Sequence, residues 1–412
     1  MNPLADSPLK GLRVLELGST VAGPFCGRLL ADFGAQVIKV EPFEGDAVRT
    51  MGKRFEEKSL YAASLFRNKS LISIDLRTQK GQEIARSLAV KSDIVVENFR
   101  PGRLEAWGLG YQQLSELNPR LVMVRISGFG QNGPYSQRPG YGVISEAVSG
   151  LRYLTGDPQS PPSRVSVSMT DYITGLYAAF GATLAILSRH ASGRGQYIDA
   201  ALYECAFSFM EPWISAYEKL GHIPMRTGSR LPESTPNNLY PTGDGQFIHI
   251  TAMGDAVFER LAMAMEQPEL ARDPRFSTAI ERGRHHDEID GLIAQWSGQL
   301  TLDALEAALL RADVPASRIF TIADIFQDSH YKARQTIIAV PDDDLGSVAM
   351  AAVVPRLSET PGAVHHSGHR VGQDTGSVLQ NDLGFSQEKI ADLVAQGIIK
   401  CEVAASAFQE AK

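Results

Sequence analysis

The sequence predicts an α/β protein built on a doubly wound parallel sheet, followed by a smaller α+β domain. Apolar runs of strand length alternate with helical patterns, as in strand–helix–strand units. The run LRVLEL at 12–17 leads through a Gly-rich turn and a helix pattern into QVIKVEP at 36–42. A segment dense in Pro, Gly, Ser and Asn at 222–238 then marks a boundary between two organisations of the chain.

The same alternation continues after the first unit, with three further strand patterns at 71–76 (LISIDL), 93–98 (DIVVEN) and 121–127 (LVMVRIS). A helix-rich stretch is predicted at 197–220. Beyond the boundary, LYPTGDGQFIHITAM predicts a hairpin around Gly243–Gly245. Strand-like pieces from residue 331 and a helix at 386–396 complete the chain.

These patterns predict one Rossmann-like large domain, one small domain and a returning tail. The predicted limits are a large domain at 1–220, a linker at 221–234, a small α+β domain at 235–325 and a C-terminal segment at 326–412 that returns to the large domain.

Composition excludes several classes of protein. With 412 residues, 43% hydrophobic residues and a net charge of −7, the chain is not expected to bind nucleic acid or an anionic membrane as its main partner. Three scattered cysteines do not make a disulfide framework and favour a reduced, cytoplasmic protein. The N-terminal residues lack the apolar core of a signal peptide, and the apolar stretch at 172–188 is shorter than a membrane span.

One acid, Asp171, is the strongest candidate for a catalytic group. Val165 and Val167 alternate with serines and predict a short extended run, after which a long apolar helix begins around Asp171. The unpaired N–H groups and the dipole at a helix start stabilise an ionised carboxylate. An acid there is most often only an N-cap. Gly175 and Gly181 nevertheless indicate that something approaches this helix closely.

A dinucleotide-binding site is a weaker interpretation of the first strand–helix unit. Glu41 falls where a ribose-binding acid is expected, but Gly18, Gly23 and Gly27 do not form G-x-G-x-x-G. Pro24 also removes an N–H from the turn that would hold the pyrophosphate. The later strand ends are rich in Gly, Asn and Arg, as a phosphate-bearing ligand requires.

No metal site, P-loop or serine-hydrolase elbow is predicted. His365, His366 and His369 are close in sequence but lie in a Pro- and Gly-containing loop, without the helical i, i+4 spacing of a preset ligand pair. The G-x-S-x-G and GxxxxGK[ST] motifs are absent from the sequence.

Taken together, motifs along nearly the whole chain resemble the class III CoA-transferases. This family includes formyl-CoA:oxalate, carnitine and succinyl-CoA-dependent transferases as well as α-methylacyl-CoA racemases. The resemblance implies a two-domain subunit that interlocks with a second copy like two chain links. The matching stretches include GLRVLELGSTVAGPFCGRLLADFGAQVIKVEP, GDAVR, VENFRPG, SGFGQNGPY, RPGYG, MTDYITGLYA, SGRGQYIDAAL and DVPASRIFTIADIFQD.

The resemblance implies covalent catalysis by Asp171. Its carboxylate would attack the donor acyl-CoA to give an aspartyl anhydride and then an aspartyl-CoA thioester, from which CoA passes to the acceptor acid. The backbone N–H groups around Val21 and Ala22 would stabilise the oxyanion. CoA is then a substrate and product, and no tightly bound cofactor or metal is expected. The residues that match CoA-binding positions of the family are Ile74, Arg77, Asn98, Phe99, Arg100, Arg138 and Tyr141.

Departures from the family patterns bear on the substrate. Oxalate-specific members carry glutamine and arginine where this chain has Val21 and Pro42, and a run of glycines where it has RTGSRLPESTPNNLY at 226–240. Oxalate is therefore disfavoured. Racemases place a histidine where this chain has Tyr141, a poor base at neutral pH.

The predicted reaction is transfer of CoA from an acyl-CoA, with succinyl-CoA as the donor, to a small dicarboxylic acid. Arg226 and Arg230 are candidates to hold the second carboxylate of the acceptor, because arginine pairs carboxylates bidentately. The alternatives are an α-methylacyl-CoA racemase and a catalytically silent CoA-binding homologue.

Overall fold

The computed structural model describes residues 7–231 and 234–402. Its contacts divide the chain into two compact units. Unit 1 comprises Met1–Leu151, Val165–Ser215 and Arg334–Lys412, and unit 2 comprises Arg152–Arg164 and Ala216–Ala333. The chain therefore leaves unit 1 twice and returns to it twice. The four-segment division drawn from the sequence stays a prediction.

The strands in chain order are β1 (Arg13–Glu16), β2 (Gln36–Glu41), β3 (Arg54–Phe55), β4 (Lys58–Ser59), β5 (Lys69–Ile74), β6 (Ile94–Glu97), β7 (Val122–Ser127), β8 (Tyr197–Ala201), β9 (Asn237–Pro241), β10 (Phe247–Thr251), β11 (Ala316–Arg318), β12 (Ile337–Asp342), β13 (Gly346–Ala351) and β14 (Ile399–Lys400).

The α-helices are α1 (Ala22–Asp32), α2 (Leu60–Leu65), α3 (Gln79–Val90), α4 (Arg103–Ala106), α5 (Tyr111–Leu117), α6 (Gly142–Val148), α7 (Leu151–Leu154), α8 (Met169–Ser192), α9 (Leu202–Phe207), α10 (Glu211–Leu220), α11 (Asp255–Ala264), α12 (Ala279–Arg284), α13 (His286–Ser297), α14 (Leu302–Arg311), α15 (Ile322–Gln327), α16 (Ser329–Ala333), α17 (Thr375–Leu383) and α18 (Gln387–Ala395).

Unit 1 is organised around a seven-stranded sheet of order β14-β5-β2-β1-β6-β7-β8. The five pairings from β5 to β8 are parallel, and only β14 is antiparallel to its neighbour β5. Without β14, the order β5-β2-β1-β6-β7-β8 is that of a Rossmann sheet. The chain adds strands outward from β1, first on one side and then on the other, so the strand order reverses between β1 and β6. The mixed α/β class with a mainly parallel sheet is confirmed.

Helices cover both faces of this sheet. Successive residues of a strand point to opposite faces, so neighbouring residues enter different cores. In β1, Val14 belongs to a core shared with α1 and α8. Its neighbour Leu15 belongs to a second core shared with α3, α17 and α18. Strands buried on both faces read as continuous apolar runs, which is why the sequence predicted them.

Two local predictions need correction. The stretch 197–220 is helix-rich, with α9 and α10, but its first residues, Tyr197–Ala201, form β8. In β8, Ile198 and Ala200 pack into a core and alternate with the polar Asp199, which is a strand pattern. The pattern is hard to recognise in the sequence because an apolar helix follows it directly. The predicted extended run before Asp171 is also absent, since residues 166–167 form a bend and α8 begins at Met169.

Unit 2 contains an antiparallel sheet of order β11-β10-β9. The predicted hairpin is present as β9 and β10, with Gly245 at a φ of 76° in its turn. The sheet packs on α11, α13 and α14 through an apolar core that includes Tyr240, Ile248, Phe258 and Ile293.

In the described part of the chain, no helix is both long enough and apolar enough to cross a membrane.

Candidate active site

A cleft of ≈ 210 Å³ lies in unit 1 among the loops that follow β1, β6 and β7. Ligands of doubly wound sheets bind at the carboxyl ends of the strands near the point where the strand order reverses, and β1 and β6 flank that point. The predicted site residues that line this cleft together are Ala22, Asn98, Phe99, Arg100, Arg138, Tyr141 and Asp171.

Asp171 is the third residue of α8, in the first helical turn. Its side chain is half-buried. The start of α6 lies directly against it, because a Cβ built on Gly142 would fall 2.1 Å from Asp171 Oδ2. The N-terminal turn of α8 favours the ionised carboxylate, and the contact with Gly142 removes part of its solvent shell.

Gly175 lets α1 approach α8 one turn beyond Asp171. A Cβ at Gly175 would lie 2.8 Å from the Ala22 carbonyl oxygen and 2.9 Å from Phe25 Cδ1. Any larger residue would push the two helices apart. The close approach that the sequence predicted for Gly175 is thus made by α1, and it brings the first turn of α1 beside the helix that carries Asp171.

The loop between β1 and α1 contributes Ser19 and Thr20 to the cleft, and the first residue of α1 contributes Ala22. Asn98 binds this loop from the end of β6: its Oδ1 accepts from the Ser19 N–H at 2.8 Å, and its Nδ2 donates to the Ser19 carbonyl at 2.8 Å. Asn98 therefore joins the two loops at the reversal point of the sheet.

Glu97, the last residue of β6, binds the backbone of the loop that follows this strand. The Phe99 N–H donates to Glu97 Oε2 at 2.8 Å, and Arg125 Nε donates to Glu97 Oε1 at 3.0 Å. Arg125 also pairs with Glu105 at 2.7 Å. Burial raises the pKa of Glu97 to about 7, although Arg125 opposes the rise. This supporting carboxylate was missed from the sequence, where its signal was an acid inside an apolar strand.

The third loop carries Arg138 and Tyr141. The Arg138 guanidinium lies 3.5 Å from the centroid of the Tyr135 ring, a cation–π contact that orients an otherwise exposed side chain. Gly140 packs on Gly128, where a Cβ would approach to 2.8 Å. Tyr141 is the N-cap residue of α6 and is exposed.

Three predicted residues of unit 1 do not line the cleft. Val21 is buried at the N-cap of α1, next to Ala22. Ile74 is buried at the end of β5 and faces Ile399 across the sheet pairing. The Arg77 side chain is 74% exposed, and its Nε pairs with Asp75 Oδ1 at 2.8 Å.

Arg226 and Arg230, both in unit 2, already have partners there. Arg226 donates to the backbone carbonyls of Asp157 and Tyr153, both at 3.2 Å. Arg230 pairs with Asp287 at 2.9 Å and with Asp290 at 2.8 Å. An acceptor carboxylate would have to compete with these groups.

The histidine-rich loop forms no metal cluster among the described residues. Instead, the His366 and His369 rings stack at 4.2 Å, and His369 Nδ1 lies 2.8 Å from Asp374 Oδ2.

Fold and cleft define the class: an α/β protein of the nucleotide-binding type whose cleft combines one carboxylate with arginine-bearing loops. Comparison with known proteins identifies the family. The sequence model of CoA-transferase family III matches residues 9–375. The chain belongs to this family and is a CoA-transferase.

Relatives and solved structures agree over almost the full length. The chain is 48% identical over 394 residues to a succinyl-CoA–D-citramalate CoA-transferase of Chloroflexus aurantiacus, covering 95% of this chain and 98% of the relative. It is 41% identical over 398 residues to the beta subunit of a succinyl-CoA–L-malate CoA-transferase of the same organism, covering 95% and 98%. The crystal structure of a CAIB/BAIF family protein from Brucella suis superposes with a TM-score of 0.81 at 34% identity, covering 92% of this chain and 100% of that one.

Proposed function

We propose that this protein transfers CoA from succinyl-CoA to a small dicarboxylic acid, with Asp171 as the covalent nucleophile. The observation that carries the proposal is that Asp171 is the one carboxylate among the described residues lining the cleft. A carboxylate that is ionised and poorly solvated attacks a thioester carbonyl effectively.

The reaction divides into four balanced acyl exchanges, at the succinyl, aspartyl and acceptor carbonyls in turn. Asp171 attacks the succinyl thioester carbonyl, the C–S bond breaks, and CoA leaves as a thiolate with a mixed anhydride left on Asp171. The thiolate then attacks the aspartyl carbonyl of the anhydride, which releases succinate and gives the aspartyl-CoA thioester. The acceptor carboxylate attacks that thioester, the thiolate leaves again, and its attack on the acceptor carbonyl gives acceptor-CoA and free Asp171.

Each tetrahedral intermediate places negative charge on an oxygen that requires hydrogen-bond donors. The N–H groups of Val21 and Ala22 are at the start of α1, where backbone donors have no intrahelical acceptor. The same cleft contains Ala22 and Asp171. We assign these two N–H groups as the oxyanion donors.

For CoA, the cleft offers Asn98, Phe99, Arg100, Arg138 and Tyr141 on two loops. The guanidinium groups supply the charge that a phosphate-bearing ligand requires. The family positions Ile74 and Arg77 stay predicted contacts to parts of CoA beyond the cleft.

The names of two relatives support a dicarboxylate acceptor. D-citramalate and L-malate, in the names of the two similar transferases, are both dicarboxylic acids that carry a hydroxyl group beside one carboxyl. A dicarboxylate acceptor is therefore the proposal for this chain. Of the two arginines, Arg226 is the better candidate to bind the second carboxylate of the acceptor, because Arg230 is already paired with two aspartates.

The test is intact-protein mass spectrometry after brief exposure to succinyl-CoA, with hydroxylamine or borohydride trapping. The expected result is a covalent adduct that maps to Asp171 and is missing in Asp171→Asn, an isosteric variant. Absence of any adduct in the wild type, combined with deuterium entering the α-carbon of a branched acyl-CoA in D₂O, would replace transfer by racemisation. CoA binding with neither signal would indicate a silent homologue.

A further inference from the structure

Four buried ionisable side chains form a connected row under the loop that precedes α1. Lys39 Nζ lies 2.8 Å from Asp46 Oδ2 and 3.2 Å from Glu16 Oε1, and Lys69 Nζ lies 2.6 Å from Glu16 Oε2. All four residues are at most 3% exposed. Burying charges is expensive even when they are paired, so such a row is weak evidence for a contribution to stability and calls for another role.

The row is directed at the backbone of one segment, the loop before α1 and the first turn of that helix. Lys39 Nζ donates to the Gly18 carbonyl in the loop at 2.7 Å, and Lys69 Nζ donates to the Pro24 carbonyl in α1 at 2.7 Å. Between these two anchors, Asp46 Oδ1 accepts from the Thr20 N–H at 3.0 Å. The segment is thus fixed at both ends and near its middle by groups that do not line the cleft.

The middle anchor holds a strained residue. Thr20 has a φ of 67°, in the left-handed region that a β-branched residue rarely adopts. Such a conformation persists only where the surroundings enforce it, and it is typical of functional sites. Thr20 directly precedes Val21 and Ala22, so its backbone conformation sets the direction of their N–H groups.

Asp46 is well suited to this task. Burial alone would raise its pKa, but the Lys39 ammonium and the N–H groups of Val48 and Thr20 lower the pKa below its ordinary value. Asp46 is therefore a charged acceptor at neutral pH, and a charged acceptor forms a stronger hydrogen bond to a backbone N–H than a neutral one.

We propose that Asp46 and Lys39 are positioning residues that hold Thr20 in its left-handed conformation and so align the Val21 and Ala22 N–H groups with the acyl carbonyl at Asp171. This inference rests on the proposed function, in which those N–H groups are the oxyanion donors. Neither Asp46 nor Lys39 is among the residues that line the cleft.

The decisive variant is Asp46→Asn, which keeps the size of the side chain and removes its charge. Oxyanion donors act in the transition state, so kcat should fall about 10- to 100-fold while the KM for succinyl-CoA changes about 2-fold or less. The effect of lost buried charge alone is measured with Asp32→Asn. Asp32 is 2% exposed and pairs with Arg67 at 2.6 Å, away from the loop. That control should lower Tm without lowering kcat.

A second substitution separates positioning from general damage. Asparagine adopts the left-handed region more readily than threonine. Thr20→Asn should therefore restore much of the lost kcat in the Asp46→Asn background. An unchanged kcat in Asp46→Asn would overturn the inference, as would equal losses in Asp46→Asn and Asp32→Asn, or no recovery in the double variant.

The readout also distinguishes this inference from the proposed function. The rate of adduct formation on Asp171 is measured for the wild type and Asp46→Asn at saturating succinyl-CoA. No adduct on either protein would remove the proposed function itself. A normal adduct rate in Asp46→Asn would leave the proposed function intact and remove only the positioning role.

Discussion

At Asp171, two requirements on a nucleophile oppose each other. The carboxylate must be ionised, which favours contact with water and positive charge, and it must be weakly solvated, which favours burial. The chain meets both by placing Asp171 in the first turn of α8 and covering one side of it with Gly142. A glycine is required at 142 because any side chain would occupy the position of the carboxylate oxygen.

The three arginines at family CoA-binding positions differ in location and in their partners. Arg100 and Arg138 line the cleft, whereas Arg77 is exposed and bound by Asp75. Removing a charge-assisted contact costs about 1.5–3 kcal/mol. We therefore expect Arg100→Gln and Arg138→Gln to raise the KM for succinyl-CoA about 10-fold or more.

Arg77→Gln is the comparison for these two variants, at a position that the family resemblance also assigns to CoA. We expect its KM for succinyl-CoA to rise less than in Arg100→Gln and Arg138→Gln, because Arg77 lies outside the cleft, is exposed and already pairs with Asp75. Initial-rate kinetics at saturating acceptor measure all three. A larger effect of Arg77→Gln than of Arg100→Gln would place the main CoA contact outside the cleft.

We expect the loop that follows β6 to respond to pH through Glu97. Glu97 is ionised above its pKa of about 7 and then accepts strongly from the Phe99 N–H, while Arg125 and the Glu105 beyond it are the charged groups that face it. As the pH falls through 7, Glu97 takes up a proton and this hold weakens. The KM for succinyl-CoA should therefore rise several-fold between pH 8 and pH 6.

Glu97→Gln tests this coupling, since glutamine is neutral at every pH. The variant should show a raised KM that is flat over the same range, measured as the ratio to the wild type. A wild-type KM independent of pH would contradict the prediction. Because the folded state binds the proton more tightly than the unfolded chain, the contribution of Glu97 to the free energy of unfolding falls as the pH rises from 4.5 towards 7.

Apolar periodicity predicted most of the central sheet, since each inner strand is buried on both faces. It failed at β8, because α9 follows this strand directly, with no Gly or Pro between them to mark the boundary. The apolar residues of β8, such as Ile198, therefore looked like part of the apolar helix. Motif matching placed seven site residues in one cleft. It did not foresee the supports: Lys39 and Glu97 are charges inside apolar strands, and their partners come from other elements that only the fold brings together.

Unit 1 presents an apolar stripe along α8 that is exposed in the described part of the chain. Leu176, Phe180, Leu184 and Leu187 repeat at helical spacing and are each about half exposed. Such a face on a protein in water is typical of an interface. We propose, in line with the resemblance to the family, that it is covered by a second copy of the chain in a homodimer.

Light scattering should then give twice the mass of one chain for the wild type. Phe180→Glu should shift the population towards the single chain, because a charge would be buried at the interface. Leu310→Glu is the control, since Leu310 is 79% exposed on α14 of unit 2. A single-chain mass for the wild type would exclude the dimer.

The antiparallel strand β14 has a consequence for how the polypeptide emerges from the ribosome. It pairs with β5, the strand that would otherwise leave an open edge on the sheet. Residues 74 and 399 are separated by the whole of unit 2, and synthesis proceeds at roughly 5–20 residues per second. If the sheet assembles during synthesis, its β5 edge stays unpaired for tens of seconds, the interval in which chaperones would protect it from pairing with other chains.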